Sequence, residues 1–215
     1  MAEGGSQPDC VKTPIDDVKS QVKATDEDSR RALLAAAVAG SAETVKALLQ
    51  NSDCRVNATD EHGRTALHLA AAAEHAEAVE VLVQHPDCHV NATVGCGSTA
   101  LHLAAEAGHA EAVNVLVQHP NCSVNAIDWL GRTALLEAAG AGHAGAVKVL
   151  VQHPRCDVSI IEVYGHTAAR LARVEGYQDI AELIDAKSKG NFTKQFCNCL
   201  HKLWESAHGL VQCSL

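Results

Sequence analysis

Large anchoring side chains are scarce in this sequence of 215 residues. Aromatic residues make up 3% of the chain, and there are only one methionine and five prolines. This composition argues against a core built around aromatic rings. Because alanine, leucine and valine are abundant, it indicates instead helices that approach one another closely.

Several functional signatures are also missing. No run of basic residues exceeds two, and the formal net charge is −9, which argues against a phosphate-binding surface for nucleic acid. No stretch approaches the roughly 20 apolar residues of a membrane span. The G-x-S-x-G, Walker and H-E-x-x-H motifs are absent, so neither enzymatic activity nor a cofactor is expected.

The sequence repeats with a period of 34 residues, and a repeat decides the architecture. Residues that recur at this spacing include Gly63, Gly97, Gly131 and Gly165; Thr65, Thr99, Thr133 and Thr167; Cys54, Cys88, Cys122 and Cys156; and Pro86, Pro120 and Pro154. The repeat defines units over 25–58, 59–92, 93–126, 127–160 and 161–186. The first unit lacks the glycine and the threonine.

Each unit predicts a turn, two helices and an extended return. In the second unit, residues 60–63 form a turn whose glycine can adopt a positive φ. Thr65 predicts the N-cap of a helix over 66–73. A second helix is expected over 76–83, where the apolar residues share one face, and Pro86 prevents its continuation.

The repeated letters resemble the ankyrin repeat. The segments GRTALHLAA, GSTALHLAAEAGHAEAV and GRTALLEAAGAGHAGAV, with VNATD and VNAID, carry the resemblance over about residues 25–186. It implies an all-α ankyrin solenoid, in which antiparallel helix pairs stack and short β-hairpin fingers project to one side. It also implies non-catalytic binding of partner proteins through the fingers and the adjoining concave face of the first helices.

Two units depart from the pattern that the resemblance implies. The family pairs the threonine after the turn with a histidine three residues later, as in Thr65 with His68 and Thr99 with His102. Leu136 and Arg170 replace that histidine in the fourth and fifth units. We therefore expect these two units to be less tightly tied at their turns.

The two residues before each turn glycine form the fingertip and change from polar to apolar along the array. Tryptophan and tyrosine are favoured anchors in interfaces, and a contiguous exposed apolar patch is typical of an interaction site. The partner is therefore expected to contact Trp129, Leu130, Val163, Tyr164, Cys96 and His62, with Glu106 and Glu137 as polar contacts on the neighbouring helical face. The alternative is that Trp129 folds back onto neighbouring fingers.

Nine cysteines and thirteen histidines raise the question of a metal site. The pairs His85/Cys88, His119/Cys122 and His153/Cys156 recur at 34 residues, so stacking places them in parallel rows. Zinc needs four ligands around one ion, and each unit offers two. We therefore expect no metal, and a small buried slot for each periodic cysteine.

Other patterns bear on the compartment and on the loops. The odd cysteine count, with one periodic cysteine per unit, and an N-terminus without an apolar signal-peptide region indicate a reducing intracellular compartment, the cytoplasm or the nucleus. Asn57 and Asn91 are expected to bond neighbouring backbone in the loops between units, and Asn125 occupies the same position of the repeat.

The array has two flanking segments. Residues 1–24 are predicted to be flexible, with a nascent helix over 16–23. In 187–215, an amphipathic helix is predicted from a helical stripe of apolar residues, which includes Phe192, Phe196, Leu200, Leu203 and Trp204. This helix either caps an apolar end of the fifth unit or is offered to a partner or a second copy; membrane association is a third interpretation. A monomer is expected, with a dimer through the C-terminal helix as the alternative.

These observations predict a non-catalytic intracellular protein–protein interaction module. Two alternatives stay open: an adaptor or substrate-receptor subunit of a larger regulatory or ubiquitin-ligase complex, and a self-associating structural protein. The partner itself is not specified, because one fold serves many unrelated binding functions.

Overall fold

The computed structural model describes residues 15–51 and 54–190, with side chains from residue 27 onward. Helices come in pairs, and each pair is followed by a loop that leads to the next unit. The first helices of the five units are α1 (Ile15–Val38), α3 (Ala66–Ala72), α5 (Ala100–Glu106), α7 (Ala134–Gly140) and α9 (Ala168–Val174). The second helices are α2 (Ala42–Leu49), α4 (Ala76–Val83), α6 (Ala110–Gln118), α8 (Ala144–Gln152) and α10 (178–190).

The fingers precede the first helices of units two to five. The third unit has a two-residue antiparallel hairpin of β1 (Thr93–Val94) and β2 (Ser98–Thr99). The second and fifth fingers each contain a single antiparallel bridge, Thr59 with Thr65 and Ile161 with Thr167. The ankyrin solenoid predicted from the sequence is confirmed.

Stacking buries a continuous core between units. The first helices pack against one another in one row, α1 on α3, α3 on α5, α5 on α7 and α7 on α9, and the second helices form a parallel row. Leucines at one repeated position, Leu82, Leu116 and Leu150, are completely buried. These leucines lie in the second helices. In the first helices, buried alanines let the backbones approach one another, as the composition predicts.

Threonine caps the first helices as expected. Thr65 and Thr99 each form a reciprocal capping box with the histidine three residues later. The other nitrogen of the His102 ring reaches the next unit, 3.0 Å from the backbone oxygen of Arg132, and that of His68 lies 3.0 Å from the backbone oxygen of Ala92 at the end of its own unit. Thr133 and Thr167 cap through the hydroxyl alone, so the fourth and fifth units lack this histidine link.

Asparagine side chains tie each loop to the next one. Asn57 donates through Nδ2 to the backbone oxygen of Asp87 (2.6 Å) and accepts through Oδ1 from the amide of His89 (2.8 Å). Asn91 and Asn125 repeat both bonds one unit further along. The expected bonding of Asn57 and Asn91 to neighbouring backbone is thus observed, and it fixes the spacing of successive units.

Both boundaries of the array differ from the segments drawn on the sequence. Helix α1 begins at Ile15 and runs through the boundary between residues 24 and 25, and α10 continues past residue 186. The tail residues Phe192, Phe196, Leu200, Leu203 and Trp204 lie outside the described residues.

The final unit carries polar residues where the earlier units are apolar. Arg173 occupies the position of Ala139, and Asp185 that of Val151. The two form an ion pair with each other. One interpretation of the tail was that it hides an apolar end of the fifth unit, where charged residues occupy two positions that are buried in earlier units.

Candidate functional site

An acidic residue at the base holds the tip of the second, fourth and fifth fingers. In the fourth finger, Asp128 Oδ1 accepts hydrogen bonds from the backbone amides of Leu130 (2.9 Å) and Arg132 (2.8 Å). Asp60 and Glu162 accept from the equivalent amides in their own fingers. Because these side chains accept hydrogen bonds from the backbone amides of the turn, the side chains of the two tip residues are directed outward.

Charged groups surround the base of the fourth finger. Arg132 donates to Asp128 Oδ2 through Nε (3.0 Å) and Nη2 (2.9 Å), and its Nη2 lies 2.9 Å from Glu137 Oε1 on α7. Burial tends to raise the pKa of Asp128, but the bonds from Arg132 outweigh it and lower that pKa. Arg132 thus ties the finger to the helix below it.

The two predicted polar contacts differ in their surroundings. Glu106 is exposed, whereas only 10% of the Glu137 side chain is exposed and Arg132 bonds both of its carboxylate oxygens. Burial raises the pKa of Glu137 to about 6, with Arg132 acting in the opposite direction. Glu106 is therefore free to meet a partner, while the carboxylate of Glu137 is engaged within the protein.

Exposed apolar side chains are concentrated on the fourth and fifth fingers. Trp129 is 78% exposed and Tyr164 is 73% exposed. Of the nine large apolar side chains exposed among the described residues, six lie on these two fingers. We call these six the fingertip patch: Ile127, Trp129, Leu130, Ile161, Val163 and Tyr164.

Two members of the fingertip patch were not among the residues selected from the sequence. Ile127 and Ile161 are 57% and 60% exposed and begin their fingers. The same position holds Thr59 and Thr93 in the earlier units. Comparing this position across units, as was done for the two residues before the glycine, could have identified both isoleucines.

Backbone hydrogen bonds join the third, fourth and fifth fingers. The amide of Trp129 donates to the carbonyl of Cys96 (3.0 Å), and the amide of Val163 donates to the carbonyl of Leu130 (3.0 Å). One edge of the Trp129 indole lies over Gly97, so Trp129 touches the preceding finger and stays largely exposed. Trp129 therefore combines the two predicted arrangements: its side chain contacts the preceding finger, and most of its surface stays exposed.

His62 and Cys96 have different relations to the fingertip patch. Both are exposed. Cys96 adjoins the patch through its bond to Trp129. In the described part of the chain, no backbone hydrogen bond joins the second finger to the third, so His62 lies on a separate finger.

The periodic cysteines pack in or against the core, and the periodic histidines form hydrogen bonds within the loops. Cys122 and Cys156 are buried, Cys54 and Cys88 are half-buried, and burial raises the pKa of Cys88, Cys122 and Cys156 to about 11. His85, His119 and His153 each accept through Nδ1 from a backbone amide two residues on. Across residues 15–51 and 54–190, no three metal-binding side chains form a group suited to an ion.

Comparison with known proteins agrees with this architecture. The family of ankyrin repeats (three copies) matches residues 1–94 and 84–162. No curated protein matches the chain. Among the described residues, no helix is both long and apolar enough to span a bilayer.

Proposed function

Because the chain belongs to the ankyrin repeat family, we propose that it is a non-catalytic module whose protein partner docks on the fingertip patch. Ankyrin repeats are in general protein–protein interaction modules. The single observation that carries the proposal is the concentration of exposed apolar side chains on two adjacent fingers. Exposed apolar patches of this kind are typical of interaction sites.

The composition of the fingertip patch supports a binding role. It combines one tryptophan and one tyrosine with four aliphatic side chains. Tryptophan and tyrosine dominate interface energetics, because each buries a large area while losing little side-chain entropy. The exposed carboxylate of Glu106, the last residue of α5, is a candidate polar contact on the helical face, and its charge acts on Arg132 and Glu137.

The fingertip patch stands on a framework that is already ordered. Asp128 and Glu162 fix the two turns from within, and backbone bonds link the fingers to each other. Binding therefore has little backbone entropy to remove, and preorganisation of this kind raises affinity. Arg132 and Glu137 extend the same support to α7.

We also propose that the module works in a reducing compartment of the cell. The described cysteines are all free thiols, and the two buried ones pack in the core. A thiol with a pKa near 11 stays neutral and unreactive at physiological pH. These thiols support the core without the need for an oxidising environment.

Affinity capture with a matched pair of variants tests the binding proposal. The double variant Trp129→Ala/Tyr164→Ala removes the two aromatic anchors and should lower recovery of at least one captured protein by about tenfold or more. The control Glu80→Ala/Glu111→Ala changes two exposed residues of α4 and α6 and should retain that protein. Unchanged capture by the aromatic variant, with an intact circular dichroism spectrum, would refute the assignment of the site.

A further inference from the structure

The hydrogen bonds between fingers repeat in one register. Each pairs the first tip residue of one finger with the second tip residue of the finger before it: Trp129 N–H with the Cys96 carbonyl, then Val163 N–H with the Leu130 carbonyl. The next acceptor in the series is the carbonyl of Tyr164. It accepts no hydrogen bond from any residue that the structure describes. The ladder of fingers therefore ends on an open acceptor.

The turn glycines give a second, independent sign of an open position. A Cβ added to Gly97 would lie 2.9 Å from the Trp129 indole, so the fourth finger covers that glycine. The backbone of the fifth finger covers Gly131, since a Cβ there would lie 3.6 Å from the Cα of Glu162. Around Gly165 there is nothing within 4 Å of the same point, as around Gly63 on the second finger, which no backbone hydrogen bond joins to the third in the described part of the chain. The fifth finger thus lacks the cover that its two predecessors have.

We propose that the partner adds an extended segment to the fifth finger as a further step of this ladder. One residue of that segment makes both contacts: its backbone N–H donates to the Tyr164 carbonyl, and its side chain covers Gly165. This inference rests on the proposed function and names the binding mode of the same site. The mode resembles the addition of an extended peptide to an exposed sheet edge, with the carbonyl of one turn residue, Tyr164, as the acceptor.

The fourth finger shows which chemistry the contact residue needs. Trp129 donates its N–H to Cys96 and lays its indole over Gly97, so one residue can make both contacts at this spacing. On the pattern of the fourth finger, where a side chain and not the backbone gives the cover, the contact residue is large and apolar, best aromatic. It cannot be proline, because proline has no N–H to donate. Val163 and Ile161, both 60% exposed, provide apolar surface beside it.

The probe for this proposal is a set of 12-residue peptides selected on the full-length chain from a random linear library. We expect the selected peptides to share an aromatic or large aliphatic residue. N-methylation of that residue's amide should weaken binding at least tenfold, as should its replacement by alanine. N-methylation of amides that point to solvent should change affinity less than threefold.

A glycine pair in the protein provides the matched control. Gly165→Asn places a side chain where the contact residue should lie, and asparagine tolerates the φ of +79° at this position. We expect peptide affinity to fall at least tenfold. Gly63→Asn introduces the same residue at a φ of +76° with equally open surroundings on the second finger, and should leave the affinity unchanged.

A carbonyl resonance reports the hydrogen bond directly. In protein labelled with ¹³C at backbone carbonyls, the Tyr164 signal should shift on addition of peptide, while that of Cys96, already bonded to Trp129, should not. Binding that survives Gly165→Asn but is lost in Trp129→Ala/Tyr164→Ala would overturn strand addition and leave the proposed function standing. Binding that survives both variants would contradict strand addition and the proposed function. Selection of no peptide that binds more tightly than about 100 μM would overturn strand addition.

Two other occupants of the fifth finger can be recognised in the same assay. If Phe196→Ser/Leu200→Ser raises peptide affinity tenfold, the chain's own tail occupies the site and the proposal fails. If the protein sediments as a dimer that Gly165→Asn dissociates, a second copy is the occupant and the proposal also fails.

Discussion

Glu137 occupies a position that is leucine in its neighbours, Leu69, Leu103 and Leu171. Its carboxylate bonds Arg132, yet burial still raises its pKa from 4.5 to about 6. A raised pKa means that the folded state binds the proton more tightly than the unfolded state does. The glutamate therefore costs stability that grows as pH rises from about 4.5 to 6.

Replacing Glu137 with leucine should stabilise the protein at neutral pH. In this variant Arg132 would still form its ion pair with Asp128, as Arg64 does with Asp60 in the second finger. We expect Glu137→Leu to raise the free energy of unfolding by on the order of 2 kcal/mol at pH 7.5, and by progressively less towards pH 4.5. Urea unfolding across this range measures it, with the exposed Glu111→Leu as control. A gain independent of pH would contradict the assigned role of burial.

Comparison of one position across the units predicts which residues are exposed but not which contacts they make. Trp129 and Tyr164 were identifiable as exposed because their positions vary while the flanking glycine and threonine recur. The engagement of Glu137 by Arg132 was not identifiable, because it depends on how a finger folds down onto α7. The bonds between fingers were also hidden, since they join backbone atoms that every residue type shares.

At the scale of elements, the turn between the paired helices uses a left-handed residue. Gly40, Gly108, Gly142 and Gly176 take φ between +68° and +88° there, whereas the second unit has Glu74 at +64°. A side chain in this region is strained by the contact of its Cβ with the backbone. The carboxylate of Glu74 lies 3.8 Å from His109 Nδ1, but the Glu74 side chain is 77% exposed, so this pair contributes little to stability.

We expect Glu74→Gly to stabilise the protein by about 1 kcal/mol, because glycine adopts a positive φ without that strain. The control Glu80→Gly, at an exposed position within α4, should destabilise by about 1 kcal/mol. Thermal unfolding of the two variants distinguishes the signs. Destabilisation by both would show that the conformation of Glu74 carries no strain.

Helix positions in the interior units were predictable to within a residue, since the same caps and turn residues occur in each unit. In the second unit, helices were predicted over 66–73 and 76–83, and the observed helices are Ala66–Ala72 and Ala76–Val83. The full length of α1 was not predicted beyond a nascent helix over 16–23, because the first unit lacks the glycine and threonine that mark a helix start. Its extent depends on residues before the first recognisable repeat.

At the scale of the whole molecule, a stack of units has two ends that cannot both be covered by neighbours. At the end of the fifth unit, Arg173 and Asp185 stand where earlier units have an alanine and a valine, and they pair with each other. Lys187 Nζ donates to the backbone oxygens of Val151 and His153, and so satisfies carbonyls in the unit before. The fifth unit carries its own polar cap.

Restoring the repeat residues at this end should promote self-association. The double variant Arg173→Ala/Asp185→Val recreates the surface on which an earlier unit receives its neighbour. We expect its sedimentation-average mass to rise with concentration, while that of the unchanged chain stays constant over the same range. Equal masses for the two proteins would show that the ion pair does not control association.

Site-specific photo-crosslinking shows whether a partner lies on the fingertip patch. Tyr164→benzoylphenylalanine places the photoreactive group on the fifth finger, and the same replacement of Glu80 places it on α4 as a control. We expect position 164 to crosslink to the protein whose capture depends on Trp129 and Tyr164, with at most a tenth of that yield from position 80. Equal yields from both positions, or crosslinking from position 80 alone, would contradict it.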